Sequence, residues 1–114
     1  MFELSNEELL HEQDFRAAFK SFAKNTPAES KVKLLDALEL VKKANGKERQ
    51  RKAARLRKKY FEVYKNSVSS DVLAIIESAI TNQAVRPNTF DSVELFVLNS
   101  LLQDPTFAQF RSSD

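Results

Sequence analysis

The chain has 114 residues, 42% hydrophobic and 30% charged, with a formal net charge of +2, no Cys, no Trp, one Gly and three Pro. This composition suits one soluble globular domain, residues 1–114, that buries its own core, and it excludes disulfide scaffolds and thiolate metal sites. So few Gly and Pro leave few tight turns, which argues against many short strands and for helices.

Ser5-Asn6-Glu7-Glu8 has the form of a capping box, in which the Ser hydroxyl and the Glu carboxylate reciprocally satisfy backbone N–H groups at a helix start. A short helix with Leu9 and Leu10 follows, and Phe2 and Leu4 are expected to cover one end of the core. Phe15, Phe19, Phe22 and Ala23 fall on one face of a second helix. Thr26-Pro27-Ala28-Glu29 reads as a second capping box with Pro in the first turn, where its missing N–H costs nothing. Val32, Leu35, Ala37, Leu38 and Val41 carry that helix to about Lys43, and Asn45-Gly46 is expected to end it, with Gly46 in the left-handed C-terminal position.

The next helix begins near Lys47 and runs to about Lys65, with Ala53, Leu56, Tyr60, Val63 and Tyr64 as its apolar positions and Phe61 alongside. Its basic first half is expected to project beyond the core. Ser69-Ser70-Asp71 opens another helix with the stripe Val72, Ile75, Ile76, Ala79 and Ile80. Thr81 to Asn88 reads as a loop, and Asn88 or Thr89 as the cap of a helix bearing Val93, Phe96, Val97 and Leu101. Asp104-Pro105 repeats the cap-plus-Pro device before a last short helix with Phe107 and Phe110. Seven helical segments joined by short loops predict an all-α bundle of antiparallel neighbours.

Charge is unevenly placed. Lys42, Lys43, Lys47, Arg49, Arg51, Lys52, Arg55, Arg57, Lys58 and Lys59 are ten basic residues in a run whose one acid is Glu48. Removing these from the totals of 18 basic and 16 acidic residues leaves 8 and 15, so the remainder carries −7. Such a run suits an acidic protein, an anionic membrane surface or nucleic acid. Against nucleic acid, the aromatics of the same helix are spaced toward the core and offer no stacking platform. The commoner role of such a run is a solvated helix face.

Nothing in the chain carries catalysis. His11 is the one His, no Cys exists for it to activate, and neither a phosphate-binding Gly-rich loop nor metal-ligand spacing occurs. No catalytic residue, metal or cofactor is expected. There is no signal-peptide pattern and no apolar run near the roughly 18 residues of a membrane span. The expected location is the cytoplasm, with the inner membrane surface as a second address for the basic run.

Read end to end, the chain resembles the regulator of G-protein signalling (RGS) domain. Leu9-Leu10 and Phe19-Lys-Ser-Phe22 resemble the family's opening Leu-Leu and Phe-x-x-Phe helices. The segment Pro27 to Lys43 aligns without a gap, and Arg57 to Tyr64 resembles the Tyr-x-x-Tyr/Phe helix. Asn88 to Asp114 resembles the closing Phe-Asp helix, the aromatic-x-x-Phe turn and the Ser-Asp ending, and an end there suits a domain cut from a longer chain.

The resemblance implies a compact multi-helix bundle, a four-helix core with a smaller terminal-helix subdomain. It also implies binding to the switch regions of a Gα subunit, whose own Arg and Gln hydrolyse GTP while the RGS domain preorganises them. The implied contact positions are Ala28, Glu29, Ser30 and Lys31, where the family reads Ser-x-Glu-Asn, and Pro105, Thr106 and Gln109, where it reads Asp-Ser-x-x-Arg; Asp104 sits one position early. The chain departs from the family at Lys31, which replaces an Asn, at Leu35, which replaces a Trp, and in the shorter connection between Tyr64 and Val72. The alternative function is an RGS-homology interaction or scaffold module without GTPase activation, or a basic-helix binder of nucleic acid or anionic lipid.

Overall fold

The computed structural model describes residues 5–66 and 68–112. Phe2 and Leu4 lie outside them. Seven helices occur among the described residues: α1 (Asn6–His11), α2 (Gln13–Phe22), α3 (Pro27–Lys43), α4 (Gly46–Tyr64), α5 (Ser70–Thr81), α6 (Asp91–Leu102) and α7 (Pro105–Ser112). No described residue is in a strand.

Three helix starts follow from local chemistry. The Ser5 hydroxyl accepts the Glu8 N–H at 3.1 Å while the Glu8 carboxylate accepts the Ser5 N–H at 3.1 Å, the reciprocal capping box. Ser69 accepts the Val72 N–H at 3.2 Å, and Asp104 accepts the Thr106 N–H at 2.8 Å just past Pro105. Two other expected caps are corrected. Thr26 is the residue before α3, but its hydroxyl turns back to donate to the Ala23 carbonyl at 2.6 Å, so the second capping box does not form. At α6 the N-cap is Phe90, and neither Asn88 nor Thr89 holds that place; the Thr89 hydroxyl instead accepts the Arg86 N–H at 2.8 Å within the preceding turn.

Gly46 does adopt a left-handed φ of +48°, but as the first residue of α4, while α3 closes at Ala44 in extended conformation. The two-residue connection makes α3 and α4 an antiparallel hairpin. α6 also runs antiparallel to α3: Lys42 meets Asp91 and Glu94 at one end, and Lys31 meets Ser100 at the other. α5 lies along α4, joined by the Arg57 guanidinium to both Glu77 carboxylate oxygens at 2.9 and 2.7 Å. α5 ends in a Schellman motif, with Gln83 at φ +54° and the Ala84 N–H donating to the Ala79 carbonyl at 2.8 Å. That turn sends the buried Val85 back to α4, where its N–H donates to the Gln50 side chain.

α3 is the centre of the bundle, with Ala28, Val32, Leu34, Leu35, Leu38 and Val41 all buried. Burying each Val or Leu of this row contributes roughly 1.5–3 kcal/mol. The terminal helices close over one end through aromatic packing. Phe19 meets Phe107 edge-on at 5.2 Å, and Phe110 contacts Phe15 at 5.4 Å, Phe19 at 5.4 Å and Phe22 at 5.3 Å. α3–α6 thus form a four-helix core, and α1, α2 and α7 the smaller terminal subdomain.

Three stripe residues are corrected. Ile75 is 65% exposed, Phe96 44% and Phe22 43%, while Leu98 is buried where Phe96 was expected. Because α5 packs mainly on α4, a single neighbour covers only Ile76 fully and leaves Ile75 in solvent. Among the described residues one charged side chain enters the interior. Arg16 is 4% exposed, and its guanidinium donates to Asp36 at 2.6 Å, to Glu39, and to the Leu10 carbonyl at 3.0 Å, tying α1, α2 and α3 together.

Candidate functional site

The expected partner-facing residues come from two segments far apart in sequence. The antiparallel run of α3 and α6 brings the start of α3 to the end where α6 passes into α7. The join is the Lys31 ammonium, which donates to the Ser100 hydroxyl at 2.6 Å. One turn after Ser100 the chain reaches Asp104, and the end of α4 with the following connection returns to the same end of the hairpin.

At this end Ala28 is fully buried, so it shapes the core beneath the surface and offers no side chain to a partner. Ser30 is exposed and Glu29 half-buried, its carboxylate 3.9 Å from the Lys33 ammonium. Lys31 is half-buried, and its bond to a neutral hydroxyl leaves its charge without a carboxylate among the described residues. On α7, Pro105 and Gln109 are exposed, Thr106 is half-buried, and Asp104 is engaged by its capping bond. Leu35 is buried in the core. The result is a small polar rim around the apolar ends of α3 and α6 that includes the Lys31 cation.

The basic run is more neutralised than its composition suggests. Lys42 reaches Glu94 at 2.9 Å and Asp91 at 3.4 Å, and the hydrogen bond it donates to Glu94 holds its ammonium pKa above the usual lysine value against the opposing effect of burial. Lys43 pairs with Glu39 at 2.8 Å, Arg51 with Glu48 at 2.7 Å, and Arg57 with Glu77. Arg49 donates to the Val41 and Ala44 carbonyls and so closes the C-terminus of α3, where a cation also favours the helix dipole. Lys52 lies at 4.0 Å from Glu48, and Lys59 sits over the Tyr60 ring at 5.5 Å. Lys47, Arg55 and Lys58 are exposed and without a carboxylate partner among the described residues.

His11 is exposed at the end of α1. Among the described residues no three His, Cys, Asp or Glu side chains are grouped to hold a metal ion. No helix among them is long and apolar enough to cross a membrane. Sequence reasoning missed Arg16 as the buried hub and Ser100 as the anchor of Lys31. Arg16 carries no local signal beyond sitting beside Phe15, and the separation of 69 positions between Lys31 and Ser100 hides that pairing.

No curated protein matches the chain. The family model for the regulator of G protein signaling domain matches residues 5–114, essentially the whole length. Together with seven helices arranged as a four-helix core and a terminal subdomain, that match makes the chain a member of the RGS domain family, the GTPase-accelerating regulators of G-protein signalling.

Proposed function

We propose that this domain binds the switch regions of a Gα subunit through the end formed by the start of α3 and the α6–α7 turn, and that it accelerates GTP hydrolysis there. Family membership gives the regulatory role in G-protein signalling. The observation that supports the finer reading is the Lys31–Ser100 hydrogen bond, which ties the start of α3 to the last turn of α6 beside the α6–α7 turn. Rigidity matters because the domain contributes no reacting group. Its effect on rate comes from holding the partner's own Arg and Gln in the transition-state arrangement, so entropy already lost in folding need not be lost at the moment of reaction.

Glu29, Ser30, Lys31, Thr106 and Gln109 supply the donors and acceptors of this surface, with Asp104 fixing the turn that presents the last two. Lys31 changes the chemistry from an amide, which both donates and accepts, to a cation that only donates. A Gα with an acidic or carbonyl-rich switch surface suits it; one presenting a donor to this position does not. Titration with Gα bound to GDP and aluminium fluoride, paired with single-turnover GTP hydrolysis, tests the reading. Binding with Kd in the micromolar range, and a faster single turnover, is expected. Lys31→Glu is expected to lower affinity at least about tenfold, or about 1.4 kcal/mol. Absence of binding at tens of micromolar across Gα classes overturns the proposal.

A further inference from the structure

Along one flank of the α3–α4 hairpin, the two helices enclose a groove of about 420 Å³ lined only by their own residues. Its floor is apolar, formed chiefly by Leu40, Leu56 and Tyr60. Leu40, in the last turn of the bundle's central helix, is 54% exposed. Its rim is cationic, with Lys33 on α3 and Lys52, Arg55 and Lys59 on α4. The one acid at its edge, Asp36, is already held by Arg16 at 2.6 Å and Lys20 at 2.9 Å.

Two of the four rim cations lack a carboxylate partner among the described residues, and the other two are only weakly paired. Arg55 has no carboxylate partner among the described residues, and Lys59 leans on the Tyr60 ring. Lys33 and Lys52 reach their nearest carboxylates only at 3.9 and 4.0 Å. The strongly paired cations of the basic run, Lys42, Lys43, Arg51 and Arg57, are not among the groove's lining. Weakly compensated cations therefore line both sides of one apolar trench, while Lys47 and Lys58 stand exposed outside it.

The geometry points to a docking groove for an acidic amphipathic helix of a partner protein, packed along the α3–α4 hairpin. Two antiparallel helices leave a channel that a third helix fills by ordinary ridge-into-groove packing. Its apolar residues would cover Leu40, Leu56 and Tyr60, and its carboxylates would meet the cations on either side. A flat bilayer fits this shape less well, since it reaches the rim without filling the trench. A nucleic-acid backbone would leave the apolar floor uncovered, and the one ring in the floor, Tyr60, is 8% exposed and offers no stacking face.

The test uses the whole chain, isotope-labelled, and a synthetic helical peptide with glutamates flanking a leucine stripe. A version with lysine in place of every glutamate is the control. Backbone resonance shifts confined to α3 and α4 between Lys33 and Tyr60 are expected with the acidic peptide only. Leu40→Gln removes an exposed apolar group and Arg55→Glu reverses an exposed charge; each is expected to weaken the peptide at least about tenfold. Lys47→Glu and Lys58→Glu make the same charge change outside the groove, and each is expected to weaken it less than about threefold. Equal losses from all four variants, shifts elsewhere in the molecule, or no binding at about 1 mM peptide overturn the proposal. Binding to phosphatidylserine vesicles that depends on Leu40 and Arg55, with none to the peptide, assigns the groove to lipid and overturns it as well.

Discussion

Replacing Arg16 by Ala should unfold this domain more readily than any other single change to a charged residue. The guanidinium is 4% exposed and makes hydrogen bonds to Asp36, Glu39 and the Leu10 carbonyl. Burial by itself lowers an arginine pKa, but these bonds and the charges of Glu39 and Asp36 raise it above its ordinary value, so the site favours the cation. Removing one partner of a buried ion pair costs roughly 3–5 kcal/mol when the other charge is stranded. Here the stranding is partial. Asp36 keeps Lys20 at 2.9 Å and Glu39 keeps Lys43 at 2.8 Å, and the two carboxylates are 34% and 24% exposed. Solvent and the remaining lysines bring the cost down to about 2–3 kcal/mol, part of which is the unpaired Leu10 carbonyl. With a urea m-value of about 1.5 kcal/mol/M, the midpoint should fall by about 1.5 M. Urea unfolding followed by far-ultraviolet circular dichroism measures it. A midpoint within about 0.3 M of the parent would show that the Arg16 network contributes little and that the reasoning is wrong.

Two further outcomes follow from the titrating groups. Burial pushes the Glu39 carboxyl up, but hydrogen bonds from Lys43 and Arg16 outweigh it and hold its pKa below the usual carboxylate value. A depressed folded-state pKa gives stability that is present above the unfolded value near 4.3 and lost as pH falls through the folded value. The stability difference between the parent and Glu39→Gln should therefore shrink as pH drops from about 6 to 3; a constant difference refutes the assignment. Tyr64 is fully buried and its hydroxyl has no hydrogen-bond partner among the described residues, and burial, with Glu77 adding to it, pushes its pKa up to about 12. A raised folded-state pKa gives stability present below the unfolded value of 10.0 and lost as pH rises toward 12. Tyr64→Phe should stabilise the domain by about 1 kcal/mol at neutral pH and flatten the alkaline loss, and a destabilised variant would mean the hydroxyl has a partner.

The helices were legible because their signals are local. Period-3.6 stripes placed all seven, and the starts at Ser5, Pro27, Ser69 and Asp104 needed only neighbouring residues to be recognised. Caps that depend on the turn before them were not legible. Thr26 bonds backward to Ala23, and Phe90 takes the place expected of Asn88 or Thr89. Periodicity marks a face as apolar but does not say whether another helix arrives to cover it. Ile75 and Phe96 stayed in solvent for that reason, and Leu40 was left as the open floor of a groove.

The sequence by itself therefore determined the class of fold, the order of its helices and the absence of thiol chemistry, since each depends on residue type and short-range spacing. Only the tertiary structure decided which charges are free. Ten basic residues in one run look alike on paper, yet Lys42 is quenched by α6, Arg57 by α5 and Arg49 by the end of α3, while Arg55 is not. Those partners lie on other helices or one turn away, and electrostatic energy depends on distance through space and on exposure, neither of which a linear sequence contains.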